Sequence, residues 1–399
     1  MSHAIDARER LASFFWGAFL VCLGLAVFML PLAPLRKVCA LVLLVCIVCG
    51  IAVVILRRIA PLDVPSVMLL AFVALLVIPN AANPDFWGFH LAYFGQILVF
   101  GCALFWLLRL LPLGDSALFW TFLVPSTAHS VLLLGIGLWR FYCTPHTQFT
   151  YINSSGELVS RFYFYDNPNL AAIFATLSLA LLLPFCAAQL PRVRALAIVG
   201  VAAVGASLFL LGSRAAIAIM VLCAILFLLW NRREKINKRF VLLALACLAA
   251  LAVGFFVFHI EVFMLKILYG NEPRPTLWLE GLRVYFDSGQ ILFGLGAGAF
   301  MDIDFSEILG GEEYRNMWHA HNLFIQILIE YGLFALLSFC AFLFTLLRGA
   351  PAPRTARTQA FWLASLSFLL FALVEFDFWE RNALFALLLF GALRGRNGT

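Results

Sequence analysis

Apolar runs of about 20 residues, separated by short polar turns, recur along the whole chain. Each run is long enough to cross a hydrocarbon core of about 30 Å. The pattern predicts twelve spans, at roughly 11–30, 38–56, 64–79, 91–111, 117–139, 168–190, 195–211, 214–230, 240–259, 322–347, 359–375 and 383–393. No internal repeat and no soluble domain interrupts this layout, so residues 1–399 read as one integral membrane domain. Two longer polar stretches stand out. One, 140–167, is rich in aromatic and polar residues. The other, 260–320, mixes Leu, Phe and Trp with charges, which predicts short helices lying on the membrane surface.

Composition narrows the class further. Hydrophobic residues make up 64% of the chain and charged residues 12%, against about 25% charged in soluble domains. The basic residues are unevenly placed. With the N-terminus inside, the inner loops hold 17 of the 27 Lys and Arg, among them Arg57, Arg109, Arg232, Arg239, Arg357 and Arg394. The outer loops hold 15 of the 21 Asp and Glu. The positive-inside rule then puts both termini in the cytoplasm and the 140–167 and 260–320 loops on the far side. The net charge of +6 reports this asymmetry and is no argument for nucleic acid. The first apolar run shows no small-residue cleavage site and reads as an uncleaved span. Nine of ten Cys fall in or beside spans, which argues against a structural disulfide, and Cys46-x-x-Cys49 lies mid-helix without partners for zinc.

The chemistry concentrates at Arg315-Asn-Met-Trp-His-Ala-His321-Asn322, where the longest polar loop runs into an apolar helix. A helix N-terminus offers unpaired N–H groups and partial positive charge, and so favours anions. His319 and His321 share this run with Arg315, Asn316 and Asn322; if both His were helical, positions two apart would diverge, which makes them a poor metal pair. His321 reads equally as a base or as a structural residue on these grounds alone. Asn322, Gln326 and Glu330 follow at i, i+4 and i+8, a polar stripe that lines a cavity or bonds to a neighbouring helix. Arg161, Arg214 and Arg274 lie at outer ends, where Arg commonly meets lipid phosphate. Arg214 differs because its turn is too short to leave the bilayer, and its planar fork suits phosphate oxygens. His129, in mid-span, reads as a packing residue. Asp302-Ile-Asp304 has the form of an Asp-x-Asp metal site but lies on the wrong side for nucleotide sugars. Gly294-x-Gly-x-Gly298 lacks the strand–helix context of a dinucleotide site and reads as a tight loop.

Taken in order, Asp166-Asn167-Pro-Asn169, Gly212-Ser-Arg214, Arg274-Pro-Thr-Leu-Trp278, Gly294-x-Gly-x-Gly298 and His319-Ala-His321-Asn322 through Gly332 resemble the bacterial O-antigen ligase and polymerase superfamily. Order and spacing agree from about 160 to 340. The ligase pattern is His, then Asn, Ser or Gln, nine residues, Gly, two residues, then Gly, Thr or Tyr. His321, Asn322 and Gly332 fit it, and Ala335 departs from it at the last position. The Arg-x10-Gly pattern of the polymerases occurs once, from Arg283 to Gly294, close to what chance supplies.

The resemblance implies an all-α polytopic membrane protein of about twelve transmembrane helices, with a long periplasmic loop containing short helices, and a GT-C-like glycosyltransferase. It implies a donor glycan on undecaprenyl pyrophosphate and a lipid A–core acceptor, joined at the periplasmic face of the bacterial inner membrane without metal or other cofactor. His321 would be the catalytic base. Arg161, Arg214 and Arg274 would bind pyrophosphate, while His319, Asn322, Arg315, Asn167 and Asn169 would bind or orient substrate. Trp278, Tyr285, Trp318 and Tyr163 would stack on sugar rings, with interfacial anchoring as the plain alternative. Three rivals stand beside the ligase: an O-antigen polymerase, a protein O-oligosaccharyltransferase, and a transporter or lipid flippase. A transporter places its charged groups near the midplane, whereas here only His129 and Glu330 lie deep.

Overall fold

The computed structural model describes residues 2–32, 35–59, 63–77, 100–111, 113–143, 150–152, 158–160, 168–211, 213–231, 274–309, 317, 319–348, 350–374 and 381–394. The protein is an all-α membrane protein, its described residues helical apart from turns, connections and one short strand pair. Six of its described helices are long and apolar enough to cross a membrane, and five more are apolar at 10–17 residues. The expected span at 240–259 lies outside the described residues. In chain order the helices are α1 (Ser2–Met29), α2 (Arg36–Arg57), α3 (Val64–Val77), α4 (Ala103–Leu110), α5 (Asp115–Leu118) and α6 (Val124–Cys143). There follow α7 (Pro168–Leu182), α8 (Pro191–Leu211), α9 (Arg214–Trp230), α10 (Arg274–Asp287), α11 (Ser306–Leu309), α12 (Leu323–Arg348), α13 (Ala356–Val374) and α14 (Arg381–Leu393). A three-residue antiparallel hairpin, Thr150–Ile152 with Leu158–Ser160, lies in the 140–167 stretch.

The centre of the bundle is α7 and α14, whose residues from Ala171 to Leu182 and from Ala383 to Leu393 are buried without a polar face. Such all-round apolar helices suit a core position. The outer helices α1 and α2 instead expose Val21, Leu25, Leu41 and Val48, as expected of a surface wetted by lipid. Small residues set the closest approaches. A side chain at Gly200 would meet Leu182 and Thr127 at 2.7 Å, so α6, α7 and α8 pack there through the bare backbone. Between α5 and α6 the helix widens into a π turn, Phe119–Leu123. Pro125 explains it, because its ring cannot donate to the carbonyl one turn earlier and crowds it.

One end of the bundle is knotted by arginines. Arg109, ion-paired to Asp63, also donates to Arg394 O at 3.2 Å. Arg357 donates to Leu393 O at 3.1 Å and to the carbonyls of Ala392 and Leu113. Arg394 reaches Thr345 O at 3.1 Å. The free carbonyls at the C-terminus of α14 thereby find cationic donors. Burial among these groups, with Arg109 nearby, pulls the Arg394 guanidinium down to about 10. At the same end Asn231 and Gln359 exchange amide hydrogen bonds of 3.2 and 3.1 Å, joining α9 to α13.

Candidate functional site

The other end holds the polar run singled out in the sequence, and it begins with a broken helix. Within α12, Gly332 has φ 80° and ψ −177°, so two helical pieces meet at an angle. That conformation is essentially reserved to glycine. The break frees backbone groups on both sides, and the loop 289–298 takes them up. Leu295 N donates to Ile329 O at 2.8 Å and Gly296 N to Glu330 O at 3.0 Å. In return Leu333 N donates to Ile291 O at 2.9 Å and Phe334 N to Leu292 O at 3.3 Å. The two backbones touch. A side chain on Gly294 would lie 2.5 Å from Glu330 O, and one on Gly332 would lie 2.4 Å from Leu292 O. The glycine-rich run that reads as a tight loop is therefore a clasp across a helix break.

Helix α10 lies over this clasp. Its Leu277 and Tyr285 bury a small second core with Phe300, Ile303, Phe305, Ala320 and Ile329. Tyr285 is fully buried and its hydroxyl donates to Ile291 O. The expectation that Tyr285 stacks on a sugar is thus corrected: its hydroxyl holds the clasp loop at Ile291. Burial also raises its phenolic pKa above the ordinary value. Trp278 is half-buried, and its indole N–H donates to Ala320 O at 2.6 Å. Tyr163 and Trp318 lie outside the described residues.

His319 and His321 flank Ala320 just before α12 begins. His321 takes a left-handed φ of 53°, so the pair is not helical. The divergence expected of two helical positions does not arise, and the two rings stand 4.2 Å apart, centroid to centroid. Both residues are partly exposed, while Nδ1 of His321 is sealed from solvent. Asn322 caps α12, its Oδ1 accepting from Phe324 N and Ile325 N at 3.1 and 3.2 Å. Its amide nitrogen donates to Leu373 O of α13 at 3.2 Å. Gln326 Oε1 accepts from Ala320 N at 2.6 Å, and its amide nitrogen donates to Glu330 Oε1 at 2.7 Å. The polar stripe on α12 is buried and bonds to the protein itself instead of lining a cavity.

The arginines open helices. Arg214 is the first residue of α9, after the N-cap Ser213. Arg274 is the first described residue of α10. A cation at a helix N-terminus opposes the helix dipole, at a cost of about 0.3–1 kcal/mol, and a bound anion would offset it. Depth can be read from register. Helices α9 and α13 are bridged by Cys223 to Ser367 at 3.3 Å and by Asn231 to Gln359. An antiparallel pair in that register sets residue 217 level with Leu373, the residue that Asn322 holds. Arg214 then lies about one turn, roughly 4.5 Å, further out. Arg214 and the histidine pair accordingly share one end of the bundle, opposite the arginine knot. Asn169 falls in the first turn of α7. Arg161, Asn167 and Arg315 lie outside the described residues.

Two other sequence features find plain explanations. Asp304 Oδ1 accepts from Ser306 N at 2.9 Å and from its hydroxyl, a local turn that leads into α11. His129 is buried and packs against Phe28 and Phe174. No group of three metal-binding side chains occurs among the described residues.

Residues 199–340 match the family model described as O-antigen ligase. Over this segment the chain is similar to the O-antigen ligase family. No curated protein matches it. The matched segment runs from within α8 through the first two thirds of α12. It contains Arg214, Arg274, the clasp and both histidines, but not Arg161, Asn167 or Asn169. Members of this family are glycosyltransferase-like ligases and polymerases, which gives the chain an enzymatic role of that general kind, with lipid-linked glycan substrates.

Proposed function

We propose that the protein is an O-antigen ligase. In this reading it moves O-antigen polysaccharide from undecaprenyl pyrophosphate to a sugar hydroxyl of lipid A–core, at the periplasmic face of the bacterial inner membrane, within a twelve-span GT-C-like fold. The carrying observation is the histidine pair seated before α12, at the end where Arg214 opens α9. The opposite end holds the arginine knot, so the positive-inside rule favours a periplasmic site.

Each step has a group suited to it. The acceptor oxygen bonds to the anomeric carbon of the donor sugar, and the bond from that carbon to the pyrophosphate oxygen breaks. The electron pair leaves with the pyrophosphate, whose charge Arg214, Arg161 and Arg274 stabilise. The acceptor proton passes to His321. Because Nδ1 of His321 is sealed, Nε2 is the nitrogen assigned to that proton. His319 lies beside it and orients the acceptor, together with Arg315, Asn167 and Asn169. Asn322 acts by fixing the start of α12. Metal, nucleotide and other cofactors have no part in this scheme.

Ala335 favours a second reading, an O-antigen polymerase, because it departs from the ligase pattern; it is fully buried in α12. One assay separates the alternatives. The purified chain is given the lipid-linked glycan with either lipid A–core or a second lipid-linked unit. Glycan on lipid A–core supports the ligase, and growth on the carrier supports the polymerase. Movement of the carrier across vesicles with no new glycosidic bond would mean a flippase. In the same assay His321→Ala should lose about 10²–10⁴-fold of transfer while still binding donor. Transfer near wild type would refute the base assignment.

A further inference from the structure

We propose that Trp278, Gln326 and Glu330 are positioning residues, forming a relay that aims the histidine pair and couples it to the clasp loop. The proposal rests on His321 as catalytic base. Ala320 is the hub. Its N–H belongs to the peptide leaving His319, and its carbonyl belongs to the peptide entering His321. Gln326 holds the first at 2.6 Å and Trp278 holds the second at 2.6 Å. Both peptide planes between the two rings are therefore fixed, by one side chain from α12 and one from α10. The left-handed φ of His321 follows directly after this hub.

The amide of Gln326 has only one sensible orientation, because Ala320 N can only donate. Its nitrogen then faces Glu330 Oε1 at 2.7 Å. Glu330 is the far anchor, and it does two jobs. Its side chain fixes Gln326, and its backbone carbonyl accepts Gly296 N of the clasp at 3.0 Å. The residue that sets the amide thus belongs to the turn that the loop 289–298 grips. A shift of that loop is transmitted through Glu330 and Gln326 to the peptide between the histidines. Glu330 serves here as a hydrogen-bond acceptor, a role that an amide oxygen fills equally well.

That last point makes the proposal testable on the full-length chain in lipid nanodiscs, with undecaprenyl-pyrophosphate-linked glycan as donor and lipid A–core as acceptor. Gln326→Leu and Glu330→Leu should each lower kcat about tenfold or more, since small misplacements of a catalytic group are costly, with the donor KM within twofold. Glu330→Gln should restore kcat to within about threefold of wild type. Trp278→Phe keeps the ring and removes only the N–H; it should lower kcat several-fold at an unchanged thermal midpoint. This outer-face variant keeps the test decisive should the leucine substitutions fail to insert. Wild-type kcat in Trp278→Phe or in the leucine variants would overturn the relay. So would a Glu330→Gln enzyme as impaired as Glu330→Leu, because the carboxylate charge would then be used directly. A fully active His321→Ala enzyme would instead remove the base reading on which the relay stands.

Discussion

Gly332→Ala is the substitution that interrogates the site most directly. At φ 80° and ψ −177° an alanine is strained by about 1–3 kcal/mol. Its Cβ would also sit 2.4 Å from Leu292 O and 2.5 Å from Gly294 N, contacts that neither backbone can relieve by a rotamer change. The loop must leave. Four interbackbone hydrogen bonds go with it, each worth about 0.5–1.5 kcal/mol net. Strain and lost bonds together amount to roughly 3–9 kcal/mol of local destabilisation. The helix can recover part of this by straightening through residue 332, but the loop cannot. The amides of Leu295 and Gly296 should therefore exchange hydrogen at least about 10²-fold faster, at about 1.4 kcal/mol per decade. Transfer should fall steeply because Glu330 leaves its place. Gly289→Ala is the control: φ is also positive, at 71°, but nothing lies within 4 Å of the added carbon. It should cost only the conformational term and leave transfer intact. Protected amides and normal transfer in Gly332→Ala would refute the clasp.

Arg214→Ala should lose most transfer while still inserting, and Arg214→Lys should also suffer because a point charge lacks the bidentate fork; normal turnover in the alanine variant would show that Arg214 does not hold the donor. Transfer should persist in excess EDTA, whereas loss with rescue by magnesium or manganese would bring Asp302 and Asp304 back as ligands. A cysteine at position 290 should label only from the periplasmic side, and labelling from the cytoplasm alone would sink the mechanism. Burial raises the Asp63 carboxyl, but hydrogen bonds from Ser66 and Arg109 outweigh it and hold the pKa below the usual carboxylate range. Its stabilisation is therefore complete above about pH 4 and disappears as pH falls through the lowered value. Asp63→Asn should destabilise the protein by about 1–3 kcal/mol at pH 7, a gap that closes in acid. A gap independent of pH would show that the ion pair is not its source.

Much of the bundle was legible from hydrophobicity alone. The expected spans 214–230 and 322–347 meet α9 and α12 almost to the residue, since Ser213 and Asn322 are cap residues at abrupt changes of polarity. The π turn before Pro125 was not legible, because an apolar run looks the same at either pitch. The break at Gly332 was hidden for a similar reason. Apolar residues continue past it, and only pairing with a segment some forty residues earlier makes the break favourable. The arrangement of His319 and His321 depended on a left-handed residue that periodicity does not report. The burial of Tyr285 depended on a second core made from four separate segments. The polar stripe on α12 was visible, but apart from the Gln326–Glu330 pair its partners were backbone atoms, which no side-chain pattern announces.

The arginine knot has a mechanical consequence. Donors from α4, from α13 and from the end of α14 fasten α12, α13 and α14 to one another at the basic end. Asn322 ties α12 to α13 again at the histidine end, so these two helices form one braced arm that pivots on the knot with the histidines at its tip. A helix of 19 residues such as α13 is about 28 Å long, so a tilt of about 10° at the joint moves the tip by about 5 Å. Small angular changes at the knot thus become atomic-scale displacements at the histidine end, and the geometry of that end is set from the far side of the membrane.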